Sequence, residues 1–142
     1  MKTVLFLCSG NYYRSRFAEE LFNQRPARVH SDWVARSRAL AIERGMNNVG
    51  PISDFALRGL EERGLIAMAG NRYPQQCAIA DLEAADWIVA LNEPEHQPLM
   101  LKRFAPWATR TEYWKVGDVE YVQPSIALAM IDREIEGLLG RL

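Results

Sequence analysis

The segment Cys8-Ser9-Gly10-Asn11-Tyr12-Tyr13-Arg14-Ser15 follows the apolar run Val4-Leu5-Phe6-Leu7 and leads into a helical pattern. A cysteine and an arginine thus bracket a tight loop between a strand and a helix. A helix N-terminus offers free N–H groups and partial positive charge, which attract an oxyanion and favour the thiolate of a cysteine placed there. Cys8 therefore reads as a nucleophile at the base of an anion cradle. Arg14 can close that cradle with a planar fork of donors, which lysine cannot offer. Gly10 lets backbone approach the anion, and Asn11 tolerates the positive φ that a nest of amides requires. Ser15 can donate its hydroxyl to the Cys8 sulfur. Ser9, Gly10, Asn11, Tyr12, Tyr13, Arg14 and Ser15 are together expected to bind a phosphate. A bare cysteine-to-arginine spacing would say little; the strand before it, the helix after it and the glycine, asparagine and serine around it point to chemistry.

These residues, with Phe17-Ala18-Glu19, resemble the N-terminal signature of the low-molecular-weight protein tyrosine phosphatases. The resemblance continues through Ala85-Asp86-Trp87-Ile88-Val89 and ends in Trp114-Lys115-Val116-Gly117-Asp118. It implies a phosphotyrosine phosphatase I type of fold, with Cys8 as nucleophile, Arg14 as phosphate binder and Asp118 as general acid. A phenolate leaving group has a conjugate acid with a pKa of about 10, so a positioned carboxylic acid assists its departure. From position alone Asp118 is equally a turn residue beside Gly117; Asp32, Asp54, Asp81 and Glu120 are possible substitutes. Three residues depart from the family pattern. Val119 stands where a proline usually follows the acid, Tyr13 where many members carry a second cysteine, and Arg16 where proline is usual. Tyr12 or Tyr13 is expected to line the entrance, which suits an aryl phosphate.

The elements that must position this loop alternate strand and helix, which specifies a parallel sheet with helices on both faces, Rossmann-like in outline. Pro26 is expected to stop the first helix, and Arg28 to Val34 reads as a second strand. Arg36 to Ile52 reads as a long loop, in which Arg36, Arg38 and Arg44 could add positive field. Ser53 should cap a helix that stops at Gly64, and a short helix at Ile79–Ala84 should feed a strand at Asp86–Leu91. Pro94 opens another helix, Thr111 to Val116 forms a fourth strand, and Leu128, Ile131, Ile135 and Leu138 stripe the last helix. In an open α/β sheet ligands bind beyond the carboxyl ends of the strands, where Cys8 and Asp118 both fall.

The 142 residues are expected to make a single domain, 1–142, and 49% of them are hydrophobic and 25% charged. A net charge of −1 gives no global attraction to nucleic acid or an acidic membrane. The early apolar stretch is too short for a signal peptide or membrane span, and two cysteines, Cys8 and Cys77, fit a cytoplasmic protein with reduced thiols. Glu93-Pro94-Glu95-His96 carries metal-ligand types, but acidic residues favour a helix start and no second cluster accompanies it, so no metal or cofactor is expected. Trp87, Trp107, Trp114 and Met130 read as core, and His30 has no evident partner. The expected function is phosphomonoester hydrolysis through a phosphocysteine, on a phosphotyrosine protein or small aryl phosphate. The alternatives are arsenate reduction with an external thiol, since too few cysteines exist for an internal relay, and a phosphate-binding module without turnover.

Overall fold

The strand that ends at Cys8 divides the molecule into two layers. In the computed structural model, which describes residues 1–25 and 32–142, β1 (Lys2–Cys8) is buried on both faces. Val4, Phe6 and Cys8 point into one core with α1 (Arg14–Gln24), α2 (Asp54–Glu61) and α6 (Pro124–Leu139). Leu5 and Leu7 point into the other, with α3 (Ile79–Ala84), α4 (Glu93–Arg103) and α5 (Ala105–Ala108). A continuous apolar run suits such a strand because helices cover both faces of the sheet. Its partners are β2 (Trp33–Ala39), β3 (Trp87–Ala90) and β4 (Thr111–Tyr113), all parallel, in the order β2-β1-β3-β4. The expected architecture is therefore present.

The second strand lies later than the sequence suggests. It runs over Trp33–Ala39, and residues 26–31, including Pro26 and His30, fall outside the described residues. Trp33, Ala35, Ser37 and Ala39 face inward, whereas Arg36 is exposed and Val34 and Arg38 are half-buried. An edge strand tolerates outward charges, so two arginines disguise its inward alternation. The loop after it consequently begins at Leu40 rather than Arg36, and Ile42–Gly45 forms a short 3₁₀ turn. Arg38 pairs with Asp81 at 3.3 Å, so of the three loop arginines Arg44 alone remains at the site.

β3 and β4 are shorter at their ends than expected, and α5 is an addition. Ser53 caps α2, its hydroxyl accepting from Phe55 N–H at 3.1 Å, and Gly64 follows at φ 73°, the left-handed conformation that ends a helix. Gly59 lets α2 lie close to its neighbours: a Cβ there would come within 2.4 Å of Leu128 on α6. Trp114 is core, whereas Trp87 and Met130 are half-buried against the same layer and Trp107 against the opposite one. No helix among the described residues is long and apolar enough to cross a membrane.

Candidate active site

The chain leaves β1 at Cys8 and turns tightly before α1. Backbone bonds from Leu40 N–H to Cys8 C=O and from Ala41 N–H to Ser9 C=O hold the turn against the chain leaving β2. Asn11 takes the left-handed conformation expected of it, at φ 53°. Its side chain explains the cost accepted there: Oδ1 takes Gln75 N–H at 3.1 Å, and Nδ2 donates to Ser15 Oγ at 2.9 Å and Ser37 Oγ at 3.0 Å. Ser15 Oγ lies 2.9 Å from Cys8 Sγ. Because Asn11 supplies a hydrogen to Ser15, the serine's own hydrogen is free for the sulfur.

Arg14 is 2% exposed, and the wiring of its guanidinium determines what it can bind. Nη1 donates to Glu95 Oε1 and to Val116 C=O, both at 2.9 Å; Nη2 donates to Glu95 Oε2 at 2.8 Å. One Nη2 hydrogen and the Nε hydrogen are left without a described acceptor. Those two share an edge of the fork, the geometry that grips two oxygens of a tetrahedral anion. Glu95 thus orients Arg14 from behind and leaves its other edge for a ligand.

Glu95 and His96 stand against the loop although the sequence reading gave them no place there. His96 is completely buried; its Nδ1 accepts Asn92 N–H at 2.9 Å, so in the neutral ring Nε2 carries the proton. Burial pushes His96 toward that neutral form against the pull of Glu95. Nε2 lies 3.1 Å from Ser9 Oγ, and Ser9 Oγ donates to Glu95. A serine, a histidine and a carboxylate therefore touch without forming a hydrolytic triad, since Nε2 is already a donor and cannot take the serine proton. Burial pushes the Glu95 carboxyl up, but bonds from His96 and Arg14 outweigh it and hold the group well below the usual carboxylate range. Glu95 is consequently an anion that positions, and no proton donor. The sequence signal for it was no more than an acidic residue in the first turn of a helix.

These groups open on a cavity of about 620 Å³. Cys8, Ser9, Gly10, Tyr12, Tyr13 and Arg14 form its floor and side, and Glu95 and Asp118 reach it from elsewhere in the chain. Both tyrosines line it; Tyr12 donates its hydroxyl to Val49 C=O at 2.6 Å, while Tyr13 packs edge-on against Phe55. Gly10 is in the wall, yet a Cβ there would meet Asn48 and Gly45 at an ordinary 3.7 Å, so packing does not demand glycine. Asp118 Oδ2 lies 3.7 Å from Arg14 Nη2, and its Oδ1 accepts Val119 N–H at 2.8 Å, a bond that proline could not supply. Asp54 and Glu120 share the cavity, whereas Asp81 is taken by Arg38.

Behind the loop lies Arg16, fully buried, donating to Pro51 C=O at 2.9 Å and Ala69 C=O at 2.8 Å. Glu20 accepts Met68 and Ala69 N–H, and Glu19 takes Ser37 Oγ and Arg72. This second polar layer fastens residues 66–76 to the underside of α1 and the loop.

The fold is shared with known structures. Low molecular weight protein tyrosine phosphatase from Streptococcus pyogenes is 24% identical with a TM-score of 0.81, covering 100% of this chain and 93% of that one. Vibrio vulnificus Wzb, in complex with benzylphosphonate, is 17% identical with a TM-score of 0.82 and 99% coverage of both chains. The YwlE arginine phosphatase from Geobacillus stearothermophilus is 22% identical with a TM-score of 0.69, covering 99% of this chain and 90% of that one. No protein among the curated sequences compared matches the chain. The model of the low molecular weight phosphotyrosine protein phosphatases matches residues 3–138. That match runs from the strand before Cys8 into the last helix, and it places the chain in the low molecular weight phosphotyrosine protein phosphatase family.

Proposed function

We propose that this cysteine-dependent phosphatase removes the phosphoryl group of protein phosphotyrosine by way of a phosphocysteine on Cys8. The observation that carries the assignment is the free edge of Arg14, held by Glu95 and sharing the cavity with a sulfur that Ser15 contacts at 2.9 Å. Cys8 attacks phosphorus while Arg14 and the loop amides of Ser9 to Ser15 hold the equatorial oxygens, whose charge spreads in the transition state. Asp118 protonates the departing phenolate and then takes a proton from the water that cleaves the phosphocysteine. Ser15 assists by stabilising the sulfur as it leaves.

Tyr12, Tyr13 and Phe55 give the cavity aromatic sides, which favours an aryl phosphate over a small inorganic anion. Arsenate reduction with an external thiol is disfavoured by the match to the phosphatase family over residues 3–138, and Cys77, buried in the opposite core layer from Cys8, is not placed to serve as an internal thiol. Two free thiols accord with a cytoplasmic site of action. The test is turnover of phenyl phosphate, p-nitrophenyl phosphate and a phosphotyrosine peptide by wild type, Cys8→Ser and Asp118→Asn. Wild type should hydrolyse all three and Cys8→Ser none. Asp118→Asn should lose roughly 10²-fold on phenyl phosphate and less on the nitrophenyl ester, whose better leaving group depends less on the acid. Phosphate binding without turnover would favour a binding module, and activity confined to phosphoarginine would overturn the substrate assignment.

A further inference from the structure

Tyr13 sits in the phosphate loop directly before Arg14, is 6% exposed, and lines the same cavity as Cys8, Arg14 and Asp118. Its ring is held by the edge contact with Phe55, at 6.1 Å between centroids. Its hydroxyl is sealed from solvent and has no hydrogen-bond partner among the described residues. A buried polar group without a partner is destabilising, and phenylalanine would fill the same space without that cost. The hydroxyl's surroundings identify what it is kept for. Burial raises its pKa to about 12, so it remains a protonated donor, and the charges that act on it are those of Arg14 and Asp118. Arg14 offers donors alone. Asp118 offers acceptors: its side chain is 40% exposed, with Oδ1 on the neighbouring Val119 N–H and Oδ2 a loose 3.7 Å from Arg14.

We propose that the Tyr13 hydroxyl is a positioning residue for the general acid, donating a hydrogen bond to the carbonyl oxygen of the protonated Asp118 carboxyl and so holding that group turned into the cavity when substrate is bound. The bond substitutes for the stiffness that a proline at position 119 would supply. Tyr13 touches no reacting atom; it sets the aim of the group that does. This inference rests on the phosphatase reading and on Asp118 as its acid.

The experiment compares wild type, Tyr13→Phe, Asp118→Asn and the double variant on phenyl phosphate and p-nitrophenyl phosphate. Tyr13→Phe should lower kcat about tenfold on phenyl phosphate, with KM unchanged and a smaller loss on the nitrophenyl ester, because weakened acid catalysis shows most with poor leaving groups. In the Asp118→Asn background it should cost nothing further. Its Tm should equal or exceed that of wild type, since the lost hydroxyl had no partner in the free protein. Equal losses on both substrates, a loss additive with Asp118→Asn, a KM effect alone or a lowered Tm would each overturn the proposal. Turnover that needs Cys8 but ignores Tyr13→Phe would overturn it while leaving the function intact; no turnover by wild type would remove both.

Discussion

The front and the back of the phosphate loop are built from the same materials, an arginine and carboxylates on each side, and are wired for opposite ends. Arg14 and Arg16 lie two residues apart at the start of α1, about 200° around the helix, so one faces the cavity and the other the scaffold. Both are at least 98% buried. Arg14 is clamped by the Glu95 carboxylate on one edge and keeps the other for a ligand. Arg16 gives its terminal nitrogens to the carbonyls of Pro51 and Ala69 and, at a long 3.5 Å, to that of Asn11 at the back of the loop, and it does not line the cavity. Burial of a cation is therefore no mark of function by itself; an unspent edge facing a cavity is.

The largest effect expected is at the front. Arg14→Lys keeps a charge near Glu95 but has no fork, so kcat/KM on phenyl phosphate should fall roughly 10²–10³-fold while Tm stays close to wild type. A loss of only a few fold would mean that the free edge of Arg14 is not what holds the phosphoryl oxygens.

At the back the balance reverses. Arg16→Met strands the part-buried Pro51 and Ala69 carbonyls and removes one of the ties between α1 and residues 66–76, leaving those from Glu19 and Glu20, which should cost about 2–4 kcal/mol in denaturant unfolding. Activity at saturating substrate should remain within about tenfold of wild type, because the loop loses only the long 3.5 Å bond to Asn11 C=O and no residue lining the cavity is changed. A collapse of kcat with full stability would abolish the distinction between the two faces.

Glu95→Gln sharpens the comparison through pH. The folded protein holds this carboxyl well below its usual range, so its ionised form stabilises the fold at pH values above its unfolded pKa of about 4.3, and the contribution fades as pH falls toward the folded value. The stability gap between wild type and Glu95→Gln should thus be largest near neutrality and shrink below about pH 4, measured by urea unfolding across pH. A gap that widened in acid would show that Glu95 is not the anion holding Arg14. Phosphate should also bind the variant more weakly, since Arg14 loses its orientation.

The smallest effect expected concerns the second thiol. Cys77 is buried among Leu5, Leu82 and Ile88 on the far layer, and burial pushes its thiol up to about 12. Cys77→Ala should leave kcat within about twofold of wild type. Peroxide should oxidise Cys8 without an internal disulfide, and mass spectrometry showing a Cys8–Cys77 crosslink would contradict the layer assignment.

What could be read in the sequence was what lies close together along the chain. Cys8, Asn11, Arg14 and Ser15 fall in one strand–loop–helix unit, so their types and spacing carry their geometry; the left-handed Asn11 and the Cys8–Ser15 contact are both as expected. The Ser53 cap, the Gly64 stop and the apolar stripe of α6 were legible for the same reason, each being a local rule of helix ends or helix period. β2 was misplaced because its inward positions hold a serine and two alanines beside Trp33 while an edge strand accepts arginines on its outward ones, which leaves the alternation with little apolar contrast.

The tertiary structure alone decided who stands beside whom across the fold. Glu95 meets Arg14 across 81 residues because β3 pairs with β1 and delivers the start of α4 to the phosphate loop. In the sequence Glu93-Pro94-Glu95-His96 carries only the acidic bias of a helix start, and a helix start says nothing of the loop it will face. Asp118 reaches the cavity through β4, one strand further out, and the same turn beside Gly117 would read identically on any surface. The separation of Cys8 from Cys77 has the same origin: each is a buried cysteine in sequence, and the sheet between them, closed by pairings no local pattern encodes, puts one at the site and the other behind it.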